Sequence, residues 1–128
     1  MNLKDYQIAC ARTCPDLGQK TANDLHMILG LVTEVGELAD VFKKKLAYGK
    51  EVDWINVQEE LGDCAWYLVN FCTLNNLDIE KILGVNIDKL KVRFPDKFSQ
   101  ESANNRDLEK EREVLEEFKT EPDQPSLF

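Results

Sequence analysis

The sequence predicts an all-α protein, and three features indicate this class. Its 128 residues include only four prolines, placed where a helix is expected to end or in the tail. No Asn-Gly or Asp-Gly hairpin signal occurs, and no segment alternates apolar and polar residues over the length of a strand. Apolar residues recur instead at intervals of three and four, as they do along one side of a helix. We therefore predict a bundle of four to five helices.

The first two helices have recognisable ends. Residues 3–13 form the first predicted helix, which Pro15 terminates. The second is long: it starts at Thr21 or Asn23, either of which can cap it, and ends before Gly49. Its apolar residues recur every three or four positions, which predicts one buried stripe. The members of this stripe are Leu25, Ile28, Leu29, Val32, Val35, Leu38, Ala39 and Phe42.

The third and fourth helices each follow an aspartate that can cap them. Asp53 precedes a helix that extends to about residue 74, and Asp78 precedes a helix over 79–94 that Pro95 ends. The connection between the second and third helices is short, so these two helices are expected to be antiparallel neighbours.

The C-terminal part changes in composition. Residues 101–121 are dense in charge and predict a partly amphipathic helix that packs on the bundle or on a second subunit. The expected division is a helical domain over 1–98, a charged helix over 99–120 and a flexible tail over 121–128.

The balance of charge argues against binding to nucleic acid. Lysine and arginine number 16 against 24 acidic residues, so the formal net charge is -8, whereas nucleic-acid-binding proteins carry an excess of basic residues. The four cysteines and the single histidine do not form a zinc-binding pattern, and we expect reduced thiols that fill the core. Neither a signal sequence nor a membrane-spanning apolar run is evident, so we expect a cytoplasmic protein without a membrane partner.

The most informative feature is a pair of acidic motifs on the second and third predicted helices. Glu34 and Glu37 form an E-x-x-E motif, and Glu60 and Asp63 form an E-x-x-D motif. A spacing of three places each pair on a single helix face, and antiparallel neighbours bring the four acids together. Carboxylates that converge among apolar residues repel one another unless a cation compensates them, and Mg²⁺ or Mn²⁺ suits such oxygen ligands. The motifs therefore predict a metal site at which water attacks a phosphorus centre.

Glycine interrupts both motifs, at Gly36 and Gly62. Each glycine lowers helix stability by about 1 kcal/mol relative to alanine. The two glycines are consistent with a helix or a ligand that approaches the backbone closely at these positions.

Further polar residues share faces with the acids or with one another. His26 lies on the face of the second helix that carries its acids, and Tyr67 lies on the corresponding face of the third helix. Asn86, Lys89 and Arg93 share one face of the fourth helix, and the two cations can meet phosphate oxygens. An ordinary interpretation stays open for each: a structural histidine, or a lysine and an arginine that are solvated charges.

Three segments together resemble a known family. In chain order they are LVTEVGELADVFKK, EELGDCAWYLV and NIDKLKVRFP. The succession of E-x-x-E, E-x-x-D and N-x-x-K-x-x-x-R-[FY]-P is similar to that of MazG-like proteins of the all-α nucleoside triphosphate pyrophosphohydrolase superfamily, over about residues 25–98. A weaker match around Asn105, Arg106 and Asp107 resembles the phage-type members, which would place the protein in a host cytoplasm.

The resemblance implies a fold, an activity and a cofactor. The MazG-like helical bundle would be completed by dimerisation, as a homodimer or a dimer of dimers. The substrate would be a ribo- or deoxyribonucleoside triphosphate, cut between the α- and β-phosphates to a monophosphate and pyrophosphate. The implied metal ligands for Mg²⁺, which Mn²⁺ can replace, are Glu34, Glu37, Glu60 and Asp63, and we expect Glu37 to activate the water.

The resemblance also implies substrate-binding residues. Asn86, Lys89 and Arg93 match positions that handle substrate phosphates in relatives. The positions of His26 and Tyr67 on their helix faces add them as candidates for contact with the base or the sugar.

Two other functions compete with this one. The first is hydrolysis of another nucleotide on the same fold, either phosphoribosyl-ATP or an alarmone. The second is a non-enzymatic helical interaction protein whose acids lie on a solvated surface. A ferritin-like di-iron site is excluded, because it needs two Glu-x-x-His motifs and His26 is the only histidine.

Overall fold

A computed structural model describes residues 1–118, and the regular structure of this part is entirely helical. The helices are α1 (Leu3–Ala11), α2 (Lys20–Tyr48), α3 (Trp54–Leu74), α4 (Ile79–Arg93), α5 (Gln100–Asn104) and α6 (Leu108–Glu117). The predicted all-α class is therefore confirmed for residues 1–118. None of the helices in this part is long and apolar enough to cross a membrane. The predicted tail over 121–128 lies outside the described residues.

The described part of the chain divides into two compact units, residues 1–75 and a second unit that begins at residue 76. The first unit contains α1, α2 and α3, with α3 packed on both of the others. Near the C-terminal end of α2, the ring of Phe42 contacts that of Trp54 at the start of α3, with centroids 6.3 Å apart. At the other end of the pair, the Nζ of Lys20 in the first turn of α2 donates to Oδ1 of Asn75, which follows α3, at 2.6 Å. Late residues of α2 thus contact early residues of α3, and the two helices are antiparallel, as predicted.

Capping signals in the sequence account for the ends of the central helices. The side chains of Asp53 and Asp78 accept backbone N–H bonds at the starts of α3 and α4, which satisfies donors that the first helical turn leaves unpaired. Gly49 follows α2 with a φ of 65°, a left-handed conformation that glycine adopts without steric cost. All three ends agree with the sequence prediction.

The predicted cap of α2 by Thr21 or Asn23 is wrong. The helix begins one residue before Thr21, and the residue that precedes it makes no side-chain capping bond. The Oδ1 of Asn23 accepts the backbone N–H of Leu17 at 2.7 Å, and its Nδ2 donates to Oδ1 of Asp16 at 3.1 Å. The side chain of Asn23 therefore forms hydrogen bonds with the loop before α2 instead of capping the helix.

The buried stripe predicted for α2 is also wrong. Most of its members are exposed in the single chain. The solvent-exposed fraction of the residue is 60% for Leu29 and 63% for Val32. The buried residues of α2 are Met27, Gly30 and Val41. Val32 lies about 200° around the helix axis from Gly30, so the most exposed part of the apolar stripe is on the side of α2 that faces away from α3, whereas its last member, Phe42, contacts Trp54 of α3. The face that packs on α3 carries the E-x-x-E motif together with the buried residues Met27 and Val41.

The helices α2 and α3 approach each other closely at Gly30. A Cβ atom at this position would lie 2.0 Å from Cε1 of Tyr67, so only glycine leaves room for the ring. At Gly36 and Gly62 an added Cβ would meet no described atom within 4 Å. The sequence suggested that a helix or a ligand approaches the backbone at Gly36 and Gly62. The close contact between helices occurs at Gly30 instead, and the space beside Gly36 and Gly62 is open.

The second unit contains α4, α5 and α6, with α6 packed on α4. The prediction of a single helix over 101–121 is wrong. The helical conformation is interrupted between α5 and α6, and the side chain of Asp107 caps the start of α6. The buried residue of α6 is Glu111, whose Oε2 accepts bonds of 2.7 Å from both Arg93 and Arg106. A charge-dense segment thus packs through an ion-paired glutamate rather than through an apolar stripe.

We predict that Gly30→Ala destabilises the protein by about 1–3 kcal/mol, because the added methyl group overpacks the contact with Tyr67. Gly84→Ala is the matched control, since a Cβ atom at Gly84 meets nothing within 4 Å. The higher helix propensity of alanine, up to about 1 kcal/mol, should leave the control equally stable or more stable. Urea denaturation followed by far-UV circular dichroism measures both variants. Equal stabilities would contradict the packing at Gly30.

Candidate functional site

Acidic residues of α2 and α3 converge where the two helices pack. One carboxylate oxygen from each of Glu34, Glu37 and Glu60 lies within 4.8 Å of the other two. Glu60 is buried, Glu34 is half-buried and Glu37 is exposed. The E-x-x-E motif and the first acid of the E-x-x-D motif therefore meet across the helix pair, and we call these three residues the acidic triangle.

Asp63, the fourth acid of the two motifs, lies outside the acidic triangle and is exposed. Its charge nevertheless contributes to the raised pKa of Glu34. It also acts on Tyr6 of α1, whose hydroxyl donates to the carbonyl oxygen of Gly62 at 3.5 Å. Burial, a hydrogen bond with Cys10 and the charges of Cys10 and Asp63 raise the pKa of Tyr6 to about 12. The sequence did not predict this contribution of α1, because nothing in its local pattern distinguishes Tyr6.

Burial and like charges raise the pKa of Glu34. The largest cause is desolvation of the carboxyl group, followed by a hydrogen bond shared with Glu60 and by the charges of Glu37, Asp63 and Glu60. A raised carboxyl pKa means that further negative charge is unfavourable at this position. A divalent cation would offset that charge, and carboxylate oxygens are the ligands that Mg²⁺ and Mn²⁺ prefer. The acidic triangle therefore fits a divalent metal ion.

Asn56 orients the most buried acid of the triangle. Its Nδ2 donates to Oε1 of Glu60 at 2.5 Å, across one turn of α3. Hydrogen bonds of this kind fix the orientation of a metal-ligating carboxylate and leave its other oxygen available. The sequence places Asn56 on the polar face of α3, one turn before Glu60, and this position is the signal that identifies it.

An open cavity of about 510 Å³ adjoins the acidic triangle. It is lined by Thr33, Gly36, Glu37, Asp40, Val41, Lys44, Asn56 and Glu60. Lys44 contributes a positive charge and pairs with Asp40 at 2.6 Å. Hydrogen bonds from Lys43 and Lys44 hold the pKa of Asp40 at about 2. The volume lies in the range of small-molecule sites, and carboxylates beside a lysine suit a phosphorylated ligand accompanied by a metal ion.

The polar face of α3 continues beyond the acids to Tyr67 and Asn70. The ring of Tyr67 lies edge-on to that of His26, with centroids 6.0 Å apart, so the structure brings these two predicted residues together. Among residues 1–118, the buried side-chain atoms without a hydrogen-bond partner are Nδ1 of His26 and both Oδ1 and Nδ2 of Asn70. Buried polar groups nearly always bond to protein or to ordered water. His26 and Asn70 can therefore still form hydrogen bonds with a ligand or with water. The sequence analysis assigned no role to Asn70.

The three predicted phosphate ligands lie on one face of α4, and none of them is fully buried. The Nζ of Lys89 donates to Oδ1 of Asn86 at 2.9 Å. Arg93 is held by a different residue, since its Nε and Nη2 donate to the two carboxylate oxygens of Glu111 at 3.0 and 2.7 Å. The sequence did not predict this pairing, because Glu111 lies 18 residues further along the chain.

Comparison with known proteins agrees with the motifs. Residues 22–98 match the family model described as "MazG nucleotide pyrophosphohydrolase domain". The chain is also 29% identical over 117 residues to the "Gene 37 protein" of Mycobacterium phage L5, an alignment that covers 83% of this chain and 100% of that protein. No solved structure matches the chain at a significant level. The segment that matches the family contains the acidic triangle, Asp63 and the polar face of α4.

We predict that Mg²⁺ or Mn²⁺ raises the unfolding temperature of the wild-type protein, because a cation bound to the folded state adds about 2.7 kcal/mol when its concentration is 100 times its Kd. Glu34→Gln should abolish this shift. The same variant should be more stable than the wild type without metal, because it removes one of the repelling carboxylates. Thermal denaturation with and without each metal tests both effects.

The matched control for this experiment is Glu59→Gln, which removes the same charge from an exposed residue beside Glu60. It should keep the metal-dependent shift. A shift that Glu34→Gln retains in full would show that the metal binds elsewhere.

Proposed function

Because the chain belongs to the MazG nucleotide pyrophosphohydrolase family, we propose that it hydrolyses ribo- or deoxyribonucleoside triphosphates to the monophosphate and pyrophosphate. The observation that carries this proposal is the acidic triangle beside a cavity of about 510 Å³. A metal site and a nucleotide-sized cavity on the same helix pair are what cleavage of a phosphoric anhydride requires.

The proposed metal ligands are Glu34, Glu37, Glu60 and Asp63, with Mg²⁺ as the cofactor and Mn²⁺ as a substitute. The mutual proximity of the first three supports their assignment. The electrostatic effect of Asp63 on Glu34 supports the fourth. When bound, the cation would offset the negative charge of the phosphate chain and make the phosphorus more open to attack.

Glu37 is the proposed base. It is the exposed member of the acidic triangle and it lines the cavity, so its carboxylate is accessible to a water molecule there. In the proposed reaction Glu37 accepts a proton from the water whose oxygen bonds to the α-phosphorus. The bond from that phosphorus to the oxygen bridging to the β-phosphate breaks, and pyrophosphate leaves. The bonds of Glu60 to Asn56 and of Lys44 to Asp40 keep the neighbouring groups in place.

Residues outside the acidic triangle are proposed to bind the rest of the substrate. Asn86, Lys89 and Arg93 would bind phosphate oxygens, since lysine and arginine supply charge-assisted donors. His26 and Tyr67 would contact the base or the sugar. The edge-on contact of their rings and the unpartnered Nδ1 of His26 support this role.

We further propose that the protein is a homodimer or a dimer of dimers. The apolar stripe of α2 supports this, because Leu25, Leu29 and Val32 are each at least half exposed and lie on the side of the helix that faces away from α3. A contiguous exposed apolar surface of this kind is typical of a protein interface. A second copy of the chain would present the same stripe, as a two-fold interface requires.

We predict that the purified protein with Mg²⁺ converts nucleoside triphosphates to a monophosphate and pyrophosphate, and that Glu37→Ala and Asp63→Ala each lose at least about 100-fold in kcat/KM, more than the loss of an outer-shell residue costs. Anion-exchange separation of the products from a panel of ribo-, deoxyribo- and modified triphosphates measures the reaction and its base preference. Phosphoribosyl-ATP and an alarmone belong on the same panel.

Glu59→Ala is the control for these variants and should keep wild-type activity, because its side chain is exposed and lies outside the acidic triangle. Diphosphate and orthophosphate as products would refute cleavage between the α- and β-phosphates. Near-normal turnover by Glu37→Ala or Asp63→Ala would refute the assigned role of that residue. No turnover of any nucleotide with either metal would favour an interaction protein.

We predict that Val32→Glu converts the assembly to monomers. An unpaired charge buried at an interface costs about 3–5 kcal/mol, which is roughly a 100-fold or larger rise in the dimer Kd. Gln100→Glu adds the same charge at an exposed position on α5 and should leave the assembly unchanged. Sedimentation velocity over a range of concentrations measures both, and a monomeric wild type would refute the proposed dimer.

A further inference from the structure

A lysine of α2 lies on the wall of the cavity beside the acidic triangle. Among residues 1–118, those that line the cavity include three carboxylates, Glu37, Asp40 and Glu60, and one positively charged side chain, that of Lys44. The Nζ of Lys44 pairs with Oδ2 of Asp40 at 2.6 Å, and 50% of the lysine side chain is exposed. The ammonium group is therefore accessible to a ligand in the cavity.

The position of Lys44 along α2 places its charge on one side of the acidic triangle. Glu37, Asp40 and Lys44 follow one another at intervals of three and four residues, so they share one face of the helix. The backbone of Lys44 lies about 10 Å beyond that of Glu37 along the helix axis. Helical side chains lean towards the N-terminus, and Lys44 does so, because it pairs with Asp40 one turn earlier. Its ammonium group therefore lies between its own backbone and the acids.

Asp40 is shared by two lysines, which differ in their relation to the cavity. Its Oδ2 pairs with Lys44, and its Oδ1 pairs with Lys43, which is not among the described residues that line the cavity. Two lysines on one carboxylate leave a positive charge unbalanced, which attracts an anion. An ammonium group has three N–H donors, and the contact with Asp40 uses one of them. Lys44 can therefore donate to a phosphate oxygen while Asp40 still holds it.

We propose that Lys44 binds the end of the phosphate chain that leaves as pyrophosphate, so that the triphosphate extends from the acidic triangle towards the C-terminal end of α2. The identity of the anion rests on the proposed function, in which the water activated by Glu37 attacks the α-phosphorus. The nucleoside then extends the opposite way, towards His26, which precedes Glu34 by eight residues on α2. This direction agrees with the proposed contact of His26 and Tyr67 with the base or the sugar. Lys44 is then a substrate-binding residue.

The test is a titration of the whole protein with pyrophosphate in the presence of Mg²⁺, followed by isothermal calorimetry. We expect the wild type to bind pyrophosphate and Lys44→Gln to bind it at least about tenfold more weakly, because a hydrogen bond from a charged donor is lost. Lys44→Arg keeps the positive charge and should bind pyrophosphate more tightly than Lys44→Gln.

The matched control is Lys43→Gln, which removes the other lysine bonded to Asp40, from a side chain that is 63% exposed. Each single variant leaves Asp40 paired with one lysine, so both variants should fold, and circular dichroism checks this. Lys43→Gln should bind pyrophosphate like the wild type. Absence of binding by the wild type, or equal weakening by Lys43→Gln and Lys44→Gln, would overturn the proposal.

The other product tests the direction of the substrate. The four deoxynucleoside monophosphates, titrated in turn with Mg²⁺, should bind Lys44→Gln as they bind the wild type, because the proposed direction places the nucleoside on the other side of the acidic triangle. Weaker binding of a monophosphate by Lys44→Gln, together with unaltered binding of pyrophosphate, would show that the nucleoside lies beside Lys44 and would overturn the proposal.

Nucleotide turnover by the same preparations separates this proposal from the proposed function. In Lys44→Gln we expect KM for the triphosphate to rise about tenfold with a smaller change in kcat, because an interaction equally strong in the ground state and the transition state acts on KM. Pyrophosphate binding that depends on Lys44 in a protein that hydrolyses no nucleotide would refute the proposed function and keep an anion site at Lys44. Normal turnover together with unaltered pyrophosphate binding by Lys44→Gln would refute the role of Lys44 alone.

Discussion

Mutual repulsion among the carboxylates between α2 and α3 is the constraint on which the first unit depends. The oxygens of Glu34, Glu37 and Glu60 lie within 4.8 Å of one another, and Glu60 is buried. A helix pair that places acids at its contact face leaves less of that face for apolar residues, and the buried apolar residues of α2 are Met27 and Val41. Most of the other apolar residues of α2 are exposed, and Val32 is 63% exposed. The acidic triangle and the exposed stripe thus occupy different faces of the same helix.

Packing on both sides of the acidic triangle holds the helix pair in register. On one side the ring of Tyr67 occupies the space that a side chain at Gly30 would fill. On the other side Phe42 and Trp54 meet edge-on. Because the acids lie between two aromatic contacts, packed helices rather than loops hold the carboxylates in position.

Charge governs the packing of the two units in different ways. In the first unit, partial burial and neighbouring acids make further negative charge unfavourable at Glu34, so a cation would stabilise it. In the second unit, Arg93 and Arg106 share the single carboxylate of Glu111, and this ion-paired cluster joins α6 to α4.

The sequence by itself determined the helical class, the end of α2, the starts of α3 and α4, and the two acidic motifs. These depend on residues a few positions apart, such as Asp53 and the first turn of α3, so local spacing and capping suffice to predict them. Only the tertiary structure decided which face of α2 is buried, because the pattern of apolar residues predicted a buried stripe whose members are mostly exposed. It also decided the close approach at Gly30 and the partner of Arg93. These depend on residues far apart in sequence, where local pattern carries no signal and only the packing of helices brings the side chains together.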